Sequence, residues 1–464
     1  GSVWWNGGVL VRGAGWFGGG VRGGGAELEE SMVEADGLVV DDPSRGLFRV
    51  DRRVMTAPSV LDAEMERVFG RCWLYVGHES EVTEPGEYRR RVVAGRSVIF
   101  VRGSDGQVRV LHNSCPHRGA IVCRADEGVA TSFQCFYHAW TFGTDGTLRG
   151  VPGAQSYPDG FDQQERSLVP VARVGSYRGF WFMCLDPDAE PLEEYLAEAC
   201  ELLDVIVDQS PSGRLRVVPG RQSYTIRANW KLLAENSYDS YHGTPTHHTY
   251  FSYLQATGGT SDHGDLKRRG AARPLGNGHA CIEYTAPWGK PVARWVPTFG
   301  ERAREEMAAV RAQLHDQHGT ERGTRITDTM RNMVIFPNLV VNDITALTVR
   351  TFQPTGPDTM SVDAWALAPV EEEGAALHRR LQSFLEFLGP AGFATPDDAE
   401  ALESCQIGFA SGGVTHNDIS KGYGTTERDG ELQMRSWWRE WHHRMTGRPR
   451  PTVPAESAVT AGAS

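Results

Sequence analysis

Residues 115–140 read CPHRGAIVCRADEGVATSFQCFYHAW and carry the most specific pattern in the chain. Cys115 and His117 form a C-x-H pair, Cys135 and His138 form a C-x-x-H pair, and seventeen residues separate the two pairs. The 464 residues include only eight cysteines and fifteen histidines, so chance explains two such pairs poorly. The stretch therefore predicts a four-ligand metal site, with one sulfur and one nitrogen from each loop.

Short alternating strands surround these two pairs. Residues 87–115 alternate apolar and polar side chains, with Ala94-Gly95 and Ser104-Asp105-Gly106 as turn signals. Asp145-Gly146 marks another hairpin after the second pair. We expect a small antiparallel domain that carries the ligand pairs on two hairpin tips.

Two kinds of metal centre use cysteine and histidine together. In a Rieske [2Fe–2S] cluster, two cysteines bind one iron and two histidines bind the other. Structural zinc sites instead favour C-x₂₋₄-C and H-x₃₋₅-H pairs. The presence of one cysteine and one histidine in each loop favours the cluster. The alternative that is not an enzyme is a non-catalytic zinc-binding protein.

A second set of candidate ligands lies in residues 229–250, NWKLLAENSYDSYHGTPTHHTY. A carboxylate and two imidazoles, Asp239, His242 and His247, suit a non-haem ferrous site that leaves coordination positions open. If residues 232–241 are helical, Asp239 and His242 share a face. Pro245 should then break the helix and bring His247 towards the same metal. The alternative is a group of surface histidines near a helix end.

Composition excludes several function classes. The net charge of −12 and pI near 5.7 favour neither nucleic acid nor an anionic membrane as a partner. Eight unevenly spaced cysteines do not resemble a secreted disulfide framework. No apolar run reaches the eighteen residues of a membrane span, so we expect a cytoplasmic protein.

The remaining segments predict further elements. Residues 61–73 have a helical pattern after Pro58-Ser59, which can cap it. Residues 258–325 are polar and rich in glycine and arginine, which predicts loops around the opening of a pocket rather than core. Their cations, Lys267, Arg268, Arg269 and Arg273, favour an anionic substrate only weakly. Residues 332–354 and 359–369 alternate as strands, and residues 372–388 form an amphipathic helix.

The CPHRGA and CFYHAW boxes, followed by NWKLLAENSYDSYH and a later histidine, resemble the large subunit of Rieske non-haem iron ring-hydroxylating oxygenases. The resemblance covers nearly the whole chain after the glycine-rich tail. It implies that Cys115 and Cys135 hold one cluster iron, that His117 and His138 hold the other, and that His242 and His247 bind a mononuclear Fe(II).

The resemblance also implies a third ligand to the mononuclear iron. GPAGFATPDDAEALESCQIG, residues 389–408, resembles the segment that carries the ligand carboxylate. By that match Asp398 is the ligand and Asp397 its solvated neighbour. Asp397 is the second candidate for the ligand, and Glu400 is the third. The two aspartates would also suit a helix N-terminus.

Further roles follow from the same resemblance. Asp239 would bridge His242 and the partner subunit's His138 by hydrogen bonds rather than bind iron. Weak candidates for the substrate pocket are Asn236, Ser237, Gly243 and Leu388. Ala394 occupies a position where the naphthalene-type enzymes carry tryptophan, so the pocket should be roomier or differently shaped there.

The implied activity is cis-dihydroxylation of an aromatic ring with O₂ and electrons from NADH. No G-x-G-x-x-G fingerprint follows a strand, so the reductase, usually with a ferredoxin, should be a separate chain. The length resembles large subunits that assemble with a small β subunit as α₃β₃. We expect an aromatic carboxylate of the phthalate or cumate type as substrate; the alternatives are a neutral aromatic hydrocarbon and a Rieske monooxygenase or demethylase reaction.

We therefore expect an α+β protein, with a small antiparallel β Rieske domain ahead of a catalytic domain whose antiparallel sheet is covered by helices. The expected divisions are a glycine-rich disordered tail (1–36), an N-terminal helical segment of the catalytic domain (37–72), the Rieske domain (73–180), the catalytic domain (181–450) and a disordered C-terminal tail (451–464).

Overall fold

The computed structural model describes residues 37–162, 165–257, 271–285, 289–424 and 430–450. The two predicted tails, together with Lys267, Arg268 and Arg269, lie outside these residues. Within the described part of the chain, every helix is too short or too polar to cross a bilayer.

The chain begins with a hairpin and a helix that pack into the larger of its hydrophobic cores. The helix predicted at residues 61–73 starts earlier and ends at Arg67. Pro58 occupies its first turn, where a missing N–H costs nothing, and Ser59 is not the cap. These first elements are β1 (Val39–Asp42), β2 (Leu47–Asp51), a 3-10 turn (Arg52–Met55), α1 (Pro58–Arg67) and β3 (Leu74–His78).

Next comes a small domain of two antiparallel sheets, ordered β6-β5-β4-β7 and β10-β9-β8. Its turns are those predicted: Ala94 and Gly95 both have positive φ, at 48° and 72°, as a tight hairpin requires. The domain has its own core of thirteen buried residues. Its strands are β4 (Glu87–Val93), β5 (Arg96–Arg102), β6 (Val108–His112), β7 (Glu127–Val129), β8 (Ser132–Gln134), β9 (Thr141–Gly143) and β10 (Leu148–Gly150).

The chain then returns to the larger core through a hairpin whose second strand pairs with β3. Cys184 is fully buried there, in an apolar strand. Two helices lead from this hairpin to the main sheet. The elements are β11 (Arg173–Tyr177), β12 (Phe180–Cys184), α2 (Leu192–Leu196), α3 (Ala199–Val207), β13 (Leu215–Val217) and β14 (Gln222–Ile226).

The main sheet is antiparallel, has eight strands and is covered by helices. Its order is β13-β20-β19-β18-β17-β16-β15, and β14 also pairs with β20. The elements of this part of the chain, in sequence order, are α4 (Trp230–Ser237), α5 (Gly243–Thr246), α6 (His248–Ala256), β15 (Ala271–Pro274), β16 (Ala280–Thr285), α7 (Glu301–Thr327), β17 (Thr329–Ile335), β18 (Leu339–Asp343), β19 (Leu347–Gly356), β20 (Thr359–Pro369), α8 (Gly374–Glu386), α9 (Ala394–Phe409), β21 (His416–Asp418) and α10 (Leu432–Thr446). This is the predicted α+β architecture.

Residues 258–325 were predicted to form loops, and this prediction was wrong for most of the residues that the structure describes in this range. Two sheet strands, β15 and β16, and the long helix α7 occupy it. Helix α7 is interrupted at Gly319, where φ is 76° and ψ is 165°. Before that break it buries only Ala303, Met307 and Leu314, so its sequence lacks a clear apolar stripe.

A buried carboxylate joins α4 to both ends of the chain. Glu64 of α1 is fully buried and accepts hydrogen bonds from Lys231 Nζ at 2.7 Å and Trp230 Nε1 at 2.8 Å. It also accepts from Trp441 Nε1 of α10 at 2.7 Å. Glu64 thus accepts three hydrogen bonds and is paired with Lys231, and a buried charge is tolerated where it is paired and hydrogen-bonded in this way.

His279, at the turn between β15 and β16, is fully buried and neutral. Its Nδ1 accepts from the Phe336 amide at 2.9 Å, and its Nε2 donates to the Tyr195 carbonyl at 2.6 Å. Burial lowers the pKa of His279 to about 4. The folded state therefore resists a proton that the unfolded chain, with a pKa near 6.5, accepts.

Stability should fall as pH decreases from about 6.5 to about 4, because the unfolded state binds the extra proton over this range. His279 alone should contribute a loss of up to about 3 kcal/mol. We expect His279→Gln to be less stable at pH 7 and to show a weaker pH dependence in urea unfolding. If the free energy of unfolding of this variant depended on pH as steeply as that of wild type, the contribution assigned to His279 would be contradicted.

Candidate metal centres

The two cysteine-histidine loops fold in the same way. In each, the cysteine amide donates to a carbonyl five residues further on, from Cys115 to Ala120 and from Cys135 to Trp140, both at 2.8 Å. Each cysteine carbonyl accepts from the amide four residues further on, at 2.8 and 2.9 Å respectively. The repeated pattern presents both cysteine side chains from equivalent backbone turns.

Each turn closes through a residue of positive φ. Gly119 has φ of 75° in the first loop, and Ala139 has φ of 57° in the second. A non-glycine residue in this region is uncommon and persists where surrounding contacts hold it. Only the second loop is a hairpin tip, between β8 and β9; the first joins β6 to β7 at opposite edges of one sheet, which corrects the prediction of two tips.

The four side chains of these loops suit a two-iron cluster better than a single ion. The rings of His117 and His138 have centroids 4.5 Å apart, and His117 stacks on Trp140. Nδ1 of His117 is buried and has no hydrogen-bond partner in the described residues, which leaves it available to a metal. In the same residues, the four side chains do not form a group that converges on one ion. Such convergence is what structural zinc would require.

The second candidate site lies where α4 ends. The helix predicted over residues 232–241 stops at Ser237, before Pro245. Asp239 accepts from the amides of Tyr241 at 2.7 Å and His242 at 3.1 Å, so its side chain competes with the helical hydrogen bonds. Pro245 was wrongly predicted as the breaker, since it lies within the single turn of α5, where its missing N–H is tolerated.

His242, His247 and Asp398 converge. Asp398 Oδ1 lies 3.4 Å from Nε2 of His242 and 3.4 Å from Nε2 of His247. One ligand atom from each residue lies within 4.8 Å of the other two. Asp398, in the second turn of α9, and His247 are both buried, so the group is not a surface cluster and has the geometry to hold one metal ion.

The electrostatics of this group favour a cation. Burial alone would lower the pKa of His242, but its hydrogen bonds to Asp239 and Asp398 raise it to about 10. Burial alone would raise the pKa of Asp398, but His242 and His247 hold it below its ordinary value. The excess negative charge that stabilises a proton here also suits a divalent ion.

Two aspartates contact the far side of the imidazoles. Asp239 Oδ2 lies 3.0 Å from His242 Nδ1, which orients the ring so that Nε2 faces Asp398. Asp397 Oδ2 lies 3.6 Å from His247 Nδ1 and is itself shielded from solvent. The Asp397 side chain is 29% exposed, so it is partly solvated, with one of its oxygens turned inward towards His247. Glu400 is exposed.

The weak pocket candidates fall into separate environments. Asn236 Nδ2 donates to Asp398 Oδ1 at 3.0 Å and lies 3.3 Å from His242 Nε2. The Ser237 hydroxyl is used within α4, where it donates to the Leu233 carbonyl at 2.6 Å. Gly243 is the first residue of α5.

Leu388 and Ala394 are buried together in a small apolar cluster. Sequence reasoning missed its other members, which come from the sheet and the adjoining loop and have no local motif. They are Met330, Ile344, Tyr284 and Phe387.

Comparison with known proteins matches both parts of the chain. A profile of the Rieske [2Fe-2S] domain matches residues 72–171, and a profile of the ring hydroxylating alpha subunit catalytic domain matches residues 214–459. The chain belongs to the family of ring-hydroxylating alpha subunits. It is a Rieske-type oxidoreductase that uses a [2Fe–2S] cluster and a non-haem iron.

Among its relatives, the toluate 1,2-dioxygenase subunit alpha of Pseudomonas putida is 35% identical, over 83% of this chain and 84% of that protein. The 2-halobenzoate 1,2-dioxygenase large subunit of Burkholderia cepacia is 33% identical, over 83% and 82%. The structure of naphthalene 1,2-dioxygenase from Rhodococcus sp. bound to indole matches with a TM-score of 0.75 and 27% identity, over 90% of this chain and 97% of that one. These relatives identify the chain as the large subunit of a ring-hydroxylating dioxygenase.

Replacing Asp398 should remove one metal site and leave the other. We expect Asp398→Ala to lower the iron content of anaerobically purified protein by about one atom per chain, because two imidazoles alone hold Fe(II) weakly. Asp397→Ala is the matched control and should retain most of this iron. Equal iron contents in wild type and Asp398→Ala would contradict the assignment.

The cluster has a matched pair of cysteines for a similar test. Cys115→Ser should lose the red-brown colour and about two iron atoms, because a serine hydroxyl is a poor substitute for thiolate. Cys123→Ser should keep both, since Cys123 is buried in the same small core without ligand spacing. Visible absorption and iron analysis of the two variants check this. If Cys123→Ser lost the colour and Cys115→Ser kept it, Cys123 rather than Cys115 would be the cluster ligand.

Proposed function

We propose that this chain is the catalytic subunit of an enzyme that cis-dihydroxylates an aromatic carboxylate. The toluate, 2-halobenzoate and anthranilate 1,2-dioxygenases among its relatives carry these substrates in their names. The observation that carries the proposal is the convergence of His242, His247 and Asp398, downstream of two equivalent cysteine-histidine loops in the same chain.

In this proposal each metal has a defined set of ligands. Cys115 and Cys135 hold one cluster iron, and His117 and His138 hold the other. His242, His247 and Asp398 hold the mononuclear iron through Nε2, Nε2 and a carboxylate oxygen, the atoms that face one another. When bound, the ferrous ion supplies open coordination positions for O₂ and the cluster supplies electrons.

The surrounding residues hold this set in place. Asp239 keeps the proton of His242 on Nδ1, so that Nε2 is free to bind metal. Asn236 donates to the Asp398 carboxylate and restricts its rotation. Asp397 lies 3.6 Å from Nδ1 of His247 and adds negative charge beside that ring without a hydrogen bond to it.

We further propose that electrons cross between subunits, with Asp239 linking His242 to the partner subunit's His138. Exposed aromatic side chains near both sites support an interface: Phe136 and Tyr137 beside the cluster loop are 64% and 53% exposed, and Tyr241 beside the iron site is 60% exposed. Large exposed apolar groups are typical of surfaces that are covered in an assembly.

The remaining partners follow from this proposal. Electrons come from NADH through a separate reductase, with or without a ferredoxin, and a small β subunit completes an α₃β₃ enzyme in the cytoplasm. The proposed division keeps residues 73–180 as the Rieske domain, with residues 37–72 and 181–450 forming the catalytic part. That residues 74–78 pair with residues 180–184 supports a close connection between the two parts.

Product analysis tests the proposed reaction. The holoenzyme, supplied with NADH and a surrogate reductase, should convert one of a panel of benzoates or phthalates to a cis-diol that contains both atoms of ¹⁸O₂. Incorporation of a single oxygen atom would indicate a monooxygenase. Turnover of neutral arenes but of no carboxylate would contradict the proposed substrate class.

A further inference from the structure

One face of the main sheet lies against α9, which carries Asp398, and against α4, which precedes the turn that carries His242. Helix α4 packs against β17 and β19, and α9 packs against β14. On β17 and just after β18, Met330 and Ile344 contact Leu388 and Ala394, which precede and begin α9. We call this side of the sheet the iron face.

Strand register shows which residues share the iron face. Asn332, two residues after Met330, is paired with Asn342, and their side chains form a 2.8 Å hydrogen bond. Asn342 is paired with Thr348 on β19. Because alternate residues of a strand face the same side, Arg350, two residues after Thr348, also lies on the iron face.

Arg350 is a buried cation for which the described residues provide no partner. Only 3% of the residue is exposed, and its Nε is fully shielded. Across the described ranges, no hydrogen bond or ion pair to its guanidinium is found. Other buried arginines differ: Arg331 pairs with Glu283 and Asp343, and Arg380 pairs with Glu372. An arginine stays charged in proteins, so burial without an anion is costly.

The neighbours of Arg350 add unfilled hydrogen-bonding capacity. Ala364 lies opposite it on β20, and Ala366 lies opposite Thr348, so the side chains paired with Arg350 and Thr348 on this strand are small and offer no hydrogen bond. Four further side chains of the same face each have a buried polar atom without a partner in the described residues. They are Asn342 Oδ1, Thr348 Oγ1, Gln222 Oε1 and the Tyr224 hydroxyl.

The position of Arg350 relative to α4 connects it with the iron site. Trp230, the first residue of α4, lies 6.4 Å from Phe352, measured between ring centroids, and Phe352 is two residues beyond Arg350 on the same face. The other end of α4 holds Asn236, which contacts Asp398. Arg350 therefore lies on the side of the main sheet against which α4 packs.

We propose that the Arg350 guanidinium binds the carboxylate of the aromatic substrate. This inference rests on the proposed function, which requires a carboxylate to enter this region. A planar guanidinium can hold a carboxylate through two parallel hydrogen bonds, and the pair would neutralise an otherwise uncompensated buried charge. Thr348 and Tyr224 can supply additional hydroxyl donors. Arg350 thereby fixes which part of the ring faces the iron and determines selectivity for acids.

The experiment compares ligand binding to holoenzyme variants by isothermal titration, with benzoate and neutral nitrobenzene as probes. Arg350→Met should raise the Kd of benzoate by about 30-fold or more, since one partner of a buried charge pair is lost. The Kd of nitrobenzene should stay within about threefold of wild type. Arg350→Lys should retain part of the benzoate affinity, because the charge remains but the two-pronged geometry does not.

A stability measurement separates binding from a structural role. Ligand-free Arg350→Met should melt at or above the wild-type temperature, because an unpaired buried charge is removed. The control Arg380→Gln, which breaks a buried pair with Glu372, should melt lower and bind benzoate as wild type does. Iron content should be unchanged in both.

The outcomes distinguish this inference from the proposed function. Equal benzoate affinity in wild type and Arg350→Met would overturn the role of Arg350 alone. Equal loss of benzoate and nitrobenzene binding, with a lower melting temperature, would show that Arg350 is structural and also overturn its role. Wild-type holoenzyme that binds nitrobenzene but no carboxylate would overturn the substrate class, and the inference with it.

Discussion

The fully buried carboxylate of Glu64 fixes the helix on which the iron site depends. It accepts hydrogen bonds from Lys231 and Trp230 at the start of α4 and from Trp441 of the C-terminal helix. Glu235 of α4 accepts a further bond from Trp438 at 2.6 Å. The N-terminal and C-terminal helices therefore determine where α4 lies, and α4 delivers Asn236 and the turn that carries His242. Such a charge is tolerated in the core only because its bonds are satisfied.

At the end of α4, charge and geometry work together. Asp239 both ends the helix, by accepting backbone hydrogen bonds, and orients His242 through its ring nitrogen. Asp398 then faces the opposite nitrogen of the same ring. Asp397 lies 3.6 Å from His247 Nδ1, beyond hydrogen-bond distance, so Asp239 is the carboxylate that orients an imidazole among the described residues. The carboxylates around His242 favour a positive charge at this place, either a proton on the imidazole or the proposed metal ion.

Sequence patterns correctly predicted the features that depend on residues close together in the chain. Both cysteine-histidine pairs and the pair His242 and His247 are close in sequence, so spacing alone could identify them, and turn residues such as Ala94-Gly95 predicted the small sheets. Asp398 lies on a distant helix and was found only through the family resemblance. Helix α7 was missed because its buried residues are sparse, and the end of α4 was misplaced because a side-chain hydrogen bond, not the proline, ends it. The environment of Arg350 depends on pairing between strands distant in sequence, which one sequence does not reveal.

The central claim is that one chain holds a two-iron cluster and a separate mononuclear iron. Iron and acid-labile sulfide analysis of anaerobically purified wild-type protein, combined with EPR after reduction, tests it most directly. The account predicts about three iron atoms and two sulfides per chain, with the low-g signal of a Rieske cluster. About one iron atom per chain or none, or bound zinc without labile sulfide, would contradict it.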